Sequence, residues 1–358
     1  MARERIVSGE SQGEDREPAT GARPTPIDPD QQAPAVRPKT LAEYVGQAAL
    51  IERLTIALEA VKGRGEALEH LLLHGPPGLG KTTLAHVVAE EMGTRAWVTS
   101  GPALTKAADL VGTLTRLGEG DILFIDEIHR LPAAVEEYIY PAMEDFKVDF
   151  TVDSGMHAKV ISLTLKPFTL IGATTRAGML TQPLRARFGI THHLEYYPRE
   201  DLVSILQRAA TKLSIDAVAD DGFDAIAKRS RGTPRVALRL LRRVRDFAQV
   251  RGTGTVDEAA VAAALELERV DELGLDEIDR RYLRVLAEVY EGGPAGLEAI
   301  AATMGDDAGT LEDVVEPYLL QIGFLARTPR GRKLTAAGEG WVAPSARAGE
   351  QGAFGESR

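Results

Sequence analysis

The chain has 358 residues, 44% of them hydrophobic, which suits two or three domains with ordinary globular cores. It has no cysteine, which excludes disulfides, thiolate nucleophiles and the usual zinc modules and fits a reducing cytoplasm. A formal net charge of -11 argues against a surface coated for nucleic acid, so any DNA contact has to come from a local basic patch.

In chain order, residues 1–34 are rich in Pro, Gly, Gln and charge and read as a disordered tail without the apolar core of a secretory signal. No later apolar run approaches membrane-spanning length. Residues 35–198 alternate strand-length apolar segments with amphipathic helical ones. The strand candidates are His70–His74, Arg95–Ser100, Asp121–Ile125, Phe168–Thr174 and Thr191–Leu194. This alternation predicts an α/β domain with a mostly parallel sheet. Between Val148 and Leu165, β-branched residues flank an Asp153-Ser154-Gly155 turn signal, which predicts an inserted hairpin.

Residues 199–270 are nearly all helical in pattern. Leu202, Ile205 and Leu206 share a face, and Thr233-Pro234 opens a long Arg/Leu-rich helix. In residues 271–343, Leu283, Leu286 and Tyr290 share one helical face, and Leu311, Val314, Val315, Tyr318 and Leu319 share another. A hairpin pattern over Gly323–Thr335 follows, so this unit is predicted to be a winged helix. Residues 344–358 read as a second tail.

Gly75-Pro76-Pro77-Gly78-Leu79-Gly80-Lys81-Thr82 matches G-x-x-x-x-G-K-[ST] completely, with a strand before it and a helix after it. Gly78 and Gly80 let the backbone wrap phosphates, and the following helix adds its positive N-terminal end. Lys81 places a charge on the β- and γ-phosphates, and the Thr82 hydroxyl is placed to ligate Mg²⁺. Downstream, the apolar strand Ile122-Leu123-Phe124-Ile125 ends in Asp126-Glu127, which sets two carboxylates at the edge of the sheet beside that loop. Asp126 suits the metal and its waters. Glu127 suits the general base for an attacking water.

Together the two motifs resemble the P-loop ATPases of the AAA+ superfamily. The finer wording resembles the RuvB family, bacterial motors of Holliday-junction branch migration. Val45-Gly46-Gln47, Asp126-Glu127-Ile128-His129-Arg130, Gly172-Ala173-Thr174-Thr175-Arg176-Ala177-Gly178 and Arg327-Thr328-Pro329-Arg330-Gly331-Arg332 carry it, in order, from about Arg37 to about Gly340. The resemblance implies ATP and Mg²⁺ as ligands, with Thr83 beside Thr82 at the nucleotide. It implies Thr175 as sensor 1, where the bland alternative is a strand hydroxyl bonded locally. Arg187 resembles the arginine finger that reaches the ATP of an adjacent subunit, a group that typically contributes about 10³–10⁵-fold to hydrolysis. Arg185 is its rival, spacing does not separate them, and a surface salt bridge is the alternative for either. Arg235 resembles sensor 2. Val36, Arg37, Tyr197 and the backbone around Glu144-Asp145-Phe146 resemble adenine-side contacts, with ordinary packing as the alternative for Tyr197 and Phe146.

The resemblance further implies a homo-oligomeric ring, a hexamer, acting in the cytoplasm on duplex DNA and four-way junctions in recombination and repair. A RuvA-like partner would dock on the hairpin of residues 148–165, whose Val152, Val160 and Ile161 could instead be core. A RuvC-like resolvase is a further implied partner.

Where DNA would touch can be argued separately from charge. The helix near Thr310–Leu320 carries Glu312, Asp313 and Glu316, which repel phosphate, and Pro317, which should bend or break it. It is therefore predicted not to read bases. The hairpin carries Arg327, Arg330, Arg332 and Lys333 without an intervening acid, which suits phosphate contact, although a solvated hairpin is the alternative. The resemblance favours Arg327 and Arg332. Rival functions are another AAA+ ATPase of DNA metabolism, such as a clamp loader, and an ATP-binding switch without turnover, against which Glu127 weighs.

Overall fold

A computed structural model describes residues 36–152, 159–215 and 217–343. Both expected tails and the Asp153-Ser154-Gly155 turn lie outside the described residues. The first helix, α1 (Ala48–Arg64), precedes a sheet built from β1 (Leu71–His74), β2 (Ala96–Ser100), β3 (Ile122–Asp126), β6 (Thr169–Thr174) and β7 (Ile190–His193). All neighbours in it are parallel, in the order β2-β3-β6-β1-β7. The expected strands are met within one or two residues. Between β3 and β6, β4 (Lys147–Val152) and β5 (Lys159–Thr164) form the expected antiparallel hairpin. Its base is anchored by the buried Val148 and Leu165, and Ile161 is half-buried; the side chains of Val152 and Val160 lie outside the described residues.

Parallel strands need crossovers, and the helices α2 (Lys81–Met92), α3 (Ala107–Leu114), α4 (Ala133–Glu144) and α5 (Gln182–Ala186) supply them. They cover both faces of the sheet, so β6 is buried along its whole length. The period of two divides the strand side chains cleanly. Leu71, Leu73, Phe124 and Ile171 enter one core, while Leu72, Leu123, Ile125 and Leu170 enter the other. The first core continues without a break into four further helices, α6 (Arg199–Lys212), α7 (Asp220–Lys228), α8 (Pro234–Val250) and α9 (Glu258–Leu267). This helical lid is therefore packed onto the sheet domain rather than tethered to it.

The C-terminal head has its own core around Tyr282, Leu283, Ile300 and Leu319. It contains α10 (Glu277–Glu288), α11 (Leu297–Met304), α12 (Glu316–Gln321), and the hairpin β8 (Leu325–Thr328) and β9 (Gly331–Leu334). Pro317 disturbs its helix as expected, in a specific way. Lacking an N–H, it cannot bond the carbonyl four residues back. The backbone from Leu311 to Val315 widens into a π-helix just before it. This corrects one expectation: Val314 is 59% exposed rather than packed with Leu311 and Val315. Wider turns rotate Val314 outward and carry Glu316 inward, where it is 0% exposed.

One residue joins lid to head. Arg231 follows α7 and is only 10% exposed; its Nη2 lies 2.9 Å from Asp276 Oδ2 and 2.7 Å from Asp279 Oδ2. Its Nε donates to the Gly274 carbonyl at 2.8 Å, and its guanidinium stacks over Tyr318. Burial pushes Asp279 up to about 7 against the pull of Arg231. Removing Arg231 leaves two facing carboxylates, so Arg231→Met should destabilise the lid–head joint by about 3–5 kcal/mol at pH 8. A carboxyl whose folded-state pKa is raised gains protons, and stability, as pH falls through that value. Without Arg231 the carboxyl's pKa rises further, so the cost should shrink as pH falls from 8 toward about 7 and then level off, where the carboxyl is protonated in both proteins. Denaturation monitored in the head at the two pH values checks this, and an equal cost at both would reject it.

Candidate nucleotide site and basic hairpin

The parallel register sets the chemistry along one edge. β1 and β6 end together and β3 ends within a residue of them, with His74 level with Thr174 and Ile125 level with Gly172. The loop Gly75–Gly80, the carboxylates Asp126 and Glu127, and Thr175 therefore all leave the sheet at its C-terminal edge, as expected for ligand binding in such sheets. Gly78 and Gly80 have φ of 81° and 95°, where a side chain would be strained. A Cβ on Gly80 would lie 2.8 Å from the Tyr44 hydroxyl, and one on Gly78 would lie 3.1 Å from Arg235 Cβ.

A cavity of about 200 Å³ opens between this edge and the lid. Val36, Arg37, Gly78, Gly80, Lys81, Thr82, Thr83, Asp126, Glu127, Tyr197 and Arg235 line it, all singled out from the sequence. Lys81 is 7% exposed, and its Nζ donates to the Gly75 and Pro76 carbonyls, each at 2.9 Å. Burial pushes it down to about 8, against the pull of Asp126 and Glu127. The lid closes the site from the start of α8. Thr233 caps that helix, accepting from the Val236 amide, and the Arg235 N–H donates to the Gly78 carbonyl at 3.3 Å. Tyr197 both packs and lines the cavity: its hydroxyl donates to the Leu79 carbonyl at 3.2 Å.

Glu127 takes a left-handed backbone conformation, φ 46°, which a non-glycine residue holds only where its surroundings impose it. Its Oε2 accepts from the Thr175 hydroxyl at 3.2 Å and lies 3.1 Å from His129 Nδ1. His129 Nδ1 is in turn 2.8 Å from Thr174 Oγ1. Nothing in the sequence of residues 126–130 by itself assigns His129 a role. Burial lowers its pKa, so it is a neutral hydrogen-bonding partner at pH 7. The sequence reading also missed Arg208 and Arg242, which line the cavity. Arg242 stands seven residues after Arg235 on α8, and that helical spacing was the available signal.

The donor set fits a nucleotide polyphosphate with Mg²⁺. Five cationic side chains, Arg37, Lys81, Arg208, Arg235 and Arg242, line one cavity with two carboxylates and Thr82. Among the described residues, no cluster of three or more His, Cys, Asp or Glu forms a metal cage. Mg²⁺ needs none, because it is held through one or two protein oxygens together with phosphate oxygens and water.

Other expected adenine contacts lie away from this chain's own cavity. Glu144, Asp145 and Phe146 do not line the cavity. They lie at and just beyond the end of α4, at the opposite edge of the sheet, where the Met143 carbonyl is 3.0 Å from His70 Nε2, just before β1 begins. Phe146 packs edge-on against Phe168 and His70. Arg187 sits at that far edge too. It stacks over Tyr140 at 4.3 Å, and its Nη2 is 3.1 Å from Glu144 Oε1. Four strand residues, about 13 Å, separate that edge from the phosphate loop of the same chain. Arg185 points differently. It donates to the Ala177 carbonyl, and its charge helps, after burial and His193, to hold His74 below its ordinary pKa.

Three family models match in sequence. The Holliday junction DNA helicase RuvB P-loop domain covers residues 36–194, the RuvB AAA lid domain 197–271, and the RuvB C-terminal winged helix domain 272–342. The chain belongs to the RuvB family. Among solved structures, it is similar to the Holliday junction branch migration motor RuvB of Thermotoga maritima, with 49% identity and a TM-score of 0.78. The match covers 86% of this chain and 98% of that one. A proline-to-glycine mutant of the same Thermotoga protein matches at 50% identity over the same shares, with a TM-score of 0.80. The family is one of P-loop AAA+ motors acting on Holliday junctions, and its P-loop domain binds nucleotide. No helix among the described residues is long and apolar enough to cross a membrane.

The basic hairpin is only partly the free patch expected. Arg327 and Arg332 hold Glu316, at 2.6 Å and 2.8 Å, and Arg332 also reaches Glu312 at 3.2 Å. The neutralising acids come from the preceding helix, not from the hairpin, so the linear sequence hid them. Arg330 and Lys333 are exposed, and among the described residues no acid pairs with either.

The buried Lys81 yields a proton-counting test. A phosphate brought against it should raise its pKa from about 8, so ATP binding should take up a proton fraction. Calorimetry near pH 8.5 in buffers of different ionisation enthalpy should show that uptake, and near pH 6.5 Lys81 contributes none because it is already charged. An uptake near pH 8.5 that persists in Lys81→Met would assign the proton elsewhere.

Proposed function

We propose that the chain hydrolyses ATP with Mg²⁺ and uses the energy to drive branch migration of Holliday junctions, in recombination and repair, in the cytoplasm. It works as a ring of identical subunits, a hexamer. The domains are residues 35–198, 199–270 and 271–343. The observation that carries this reading is the single cavity in which Lys81, Thr82, Asp126 and Glu127 of the sheet domain face Arg235 of the lid.

In this reading the loop amides and Lys81 hold the β- and γ-phosphates, while Thr82 and Asp126 hold the metal. Bound Mg²⁺ supplies charge neutralisation on the phosphates. Glu127 accepts the proton of the attacking water, steadied by Thr175 as sensor 1 and by His129. Arg235 reports the phosphates to the lid. Arg187 serves the neighbouring subunit. Its place at the far edge of its own sheet supports a role in trans, and the contact with Glu144 keeps Glu144 near that same interface. A RuvA-like junction-binding partner docks on the hairpin of residues 148–165 and loads the ring. On the head, Arg330 and Lys333 touch duplex phosphates, while Arg327 and Arg332 mainly fix the hairpin's geometry.

Mixing variants tests the catalytic assignment. Glu127→Gln alone should lose about 10²–10⁴-fold in phosphate release while still binding ATP. Arg187→Ala alone should lose about 10³-fold or more. Mixed rings should recover hydrolysis, because an intact site then meets an intact finger. No recovery on mixing would place the finger elsewhere, and unchanged release by Glu127→Gln would make the protein's turnover independent of that carboxylate.

The head assignment predicts a salt effect. Replacing Arg330 and Lys333 with Ala should flatten the slope of log K against log salt by roughly 1.8 per engaged subunit, at about 0.9 per phosphate. If instead Arg327→Ala and Arg332→Ala flatten it while the first pair does not, the phosphate contacts belong to the acid-paired arginines of the hairpin. Branch migration of a synthetic junction, with and without the partner, tests the overall activity.

A further inference from the structure

Three consecutive residues at the end of β6 each touch a different structure. Thr174 Oγ1 meets His129, Thr175 Oγ1 donates to Glu127, and Arg176 reaches out of the domain altogether. Arg176 Nε and Nη2 donate to Asp313 Oδ1 at 3.1 Å and 2.6 Å, and Nη2 lies 2.8 Å from Glu312 Oε2. Its own amide N–H donates to Thr174 Oγ1 at 2.9 Å, so its backbone is fixed by the same threonine that touches His129. These ion pairs join the sheet domain directly to the head. The arginine is 31% exposed, a setting in which two hydrogen bonds to one carboxylate oxygen and a second acid form a definite joint.

The acids it holds are not bystanders. Glu312 is shared between Arg176 on one side and Arg332 on the other, with Arg327 Nη2 at 4.0 Å. Continuous contact therefore runs from the hydrolytic carboxylate to the base of the basic hairpin: Glu127, Thr175, Arg176, Glu312 and Asp313, Arg332. Thr175 and Arg176 are backbone neighbours immediately after the fully buried strand β6, so a shift at Thr175 passes directly to Arg176.

We propose that Arg176 is a positioning residue that ties the winged-helix head to the Glu127–Thr175 contact, so that the head's position follows the state of the phosphate site. The inference rests on the reading above, in which Glu127 and Thr175 face the γ-phosphate. When a phosphate reorganises that pair, Arg176 moves relative to Asp313 and Glu312. The head shifts and the hairpin moves with it. Coupling also runs backwards: duplex phosphates held by Arg330 and Lys333 shift the hairpin, and Arg332 carries that shift through Glu312 to Arg176.

The absence of cysteine makes distance labelling direct. Spin labels on Glu59→Cys in α1 and Glu298→Cys in α11, both exposed positions, report the separation of the sheet domain and the head. The parent protein is expected to show different distance distributions with ADP and with a non-hydrolysable ATP analogue. Arg176→Gln and, on the head side, Asp313→Asn should each give one distribution in both states. Asp313→Asn should keep ATP turnover while base pairs migrated per ATP fall by about fivefold or more. Arg176→Asp combined with Asp313→Arg should restore part of the nucleotide dependence. A joint that is only a brace gives a different result: the variants broaden both distributions equally but keep the ADP-to-analogue shift and the migration yield, which overturns the proposal. So does a parent whose distances ignore nucleotide. A parent that neither hydrolyses ATP nor migrates junctions instead overturns the functional reading beneath it, and the two failures are distinct.

Discussion

The parallel register of β1, β3 and β6 is the constraint on which the site depends. Each strand is short, and the three end within one residue of one another. A one-residue slip in any of them would reverse which side chains face each core and move its terminal residue out of line. Because the strands hold register, a lysine after one, two carboxylates at the end of the second and a threonine after the third converge without any of them being close in sequence. The lid, packed on the same apolar core, is fixed beside the loop by a backbone bond from Arg235 to Gly78 that brings its arginine over the same cavity.

A second constraint governs the head. Pro317 removes a helical hydrogen bond, the preceding turn widens, and Glu316 turns into the interior. A buried carboxylate requires partners, since an uncompensated charge there would cost several kcal/mol. Arg327, Arg332 and the Tyr282 hydroxyl supply them. The local irregularity thus holds the hairpin against the helix and sets which of its basic residues remain free for a ligand. The burial that presses Tyr282 against Glu316 also raises its pKa well above the ordinary tyrosine value, so it stays a donor.

Between these two regions the chain is joined electrostatically rather than by a shared apolar core. The head's core is separate from the one that the sheet and lid share. Arg231 binds the lid to the head through the buried Asp279 and the partly exposed Asp276, and Arg176 binds the sheet domain to the head through two partly exposed acids. Polar joints of this kind are directional and can be re-made at small cost, whereas a continuous apolar interface resists sliding. That distinction suits the proposed cycle, in which the head follows the phosphate site.

Local signals determined much of this protein. Complete phosphate-loop and carboxylate motifs, strand-length apolar runs and the Thr233-Pro234 helix start are written in neighbouring residues, because loop wrapping, strand burial and capping are short-range effects. The sheet's strands, the inserted hairpin and most of the cavity lining were legible for that reason. Tertiary structure alone decided the rest. It put Glu144 and Phe146 at the wrong edge of the sheet for their own nucleotide, separated Arg185 from Arg187, and paired Arg327 and Arg332 with acids from another element. It also aimed Arg176 at Asp313, 137 residues away. Charge pairing depends on distance in space, and a linear pattern records only which charges exist, not which of them meet.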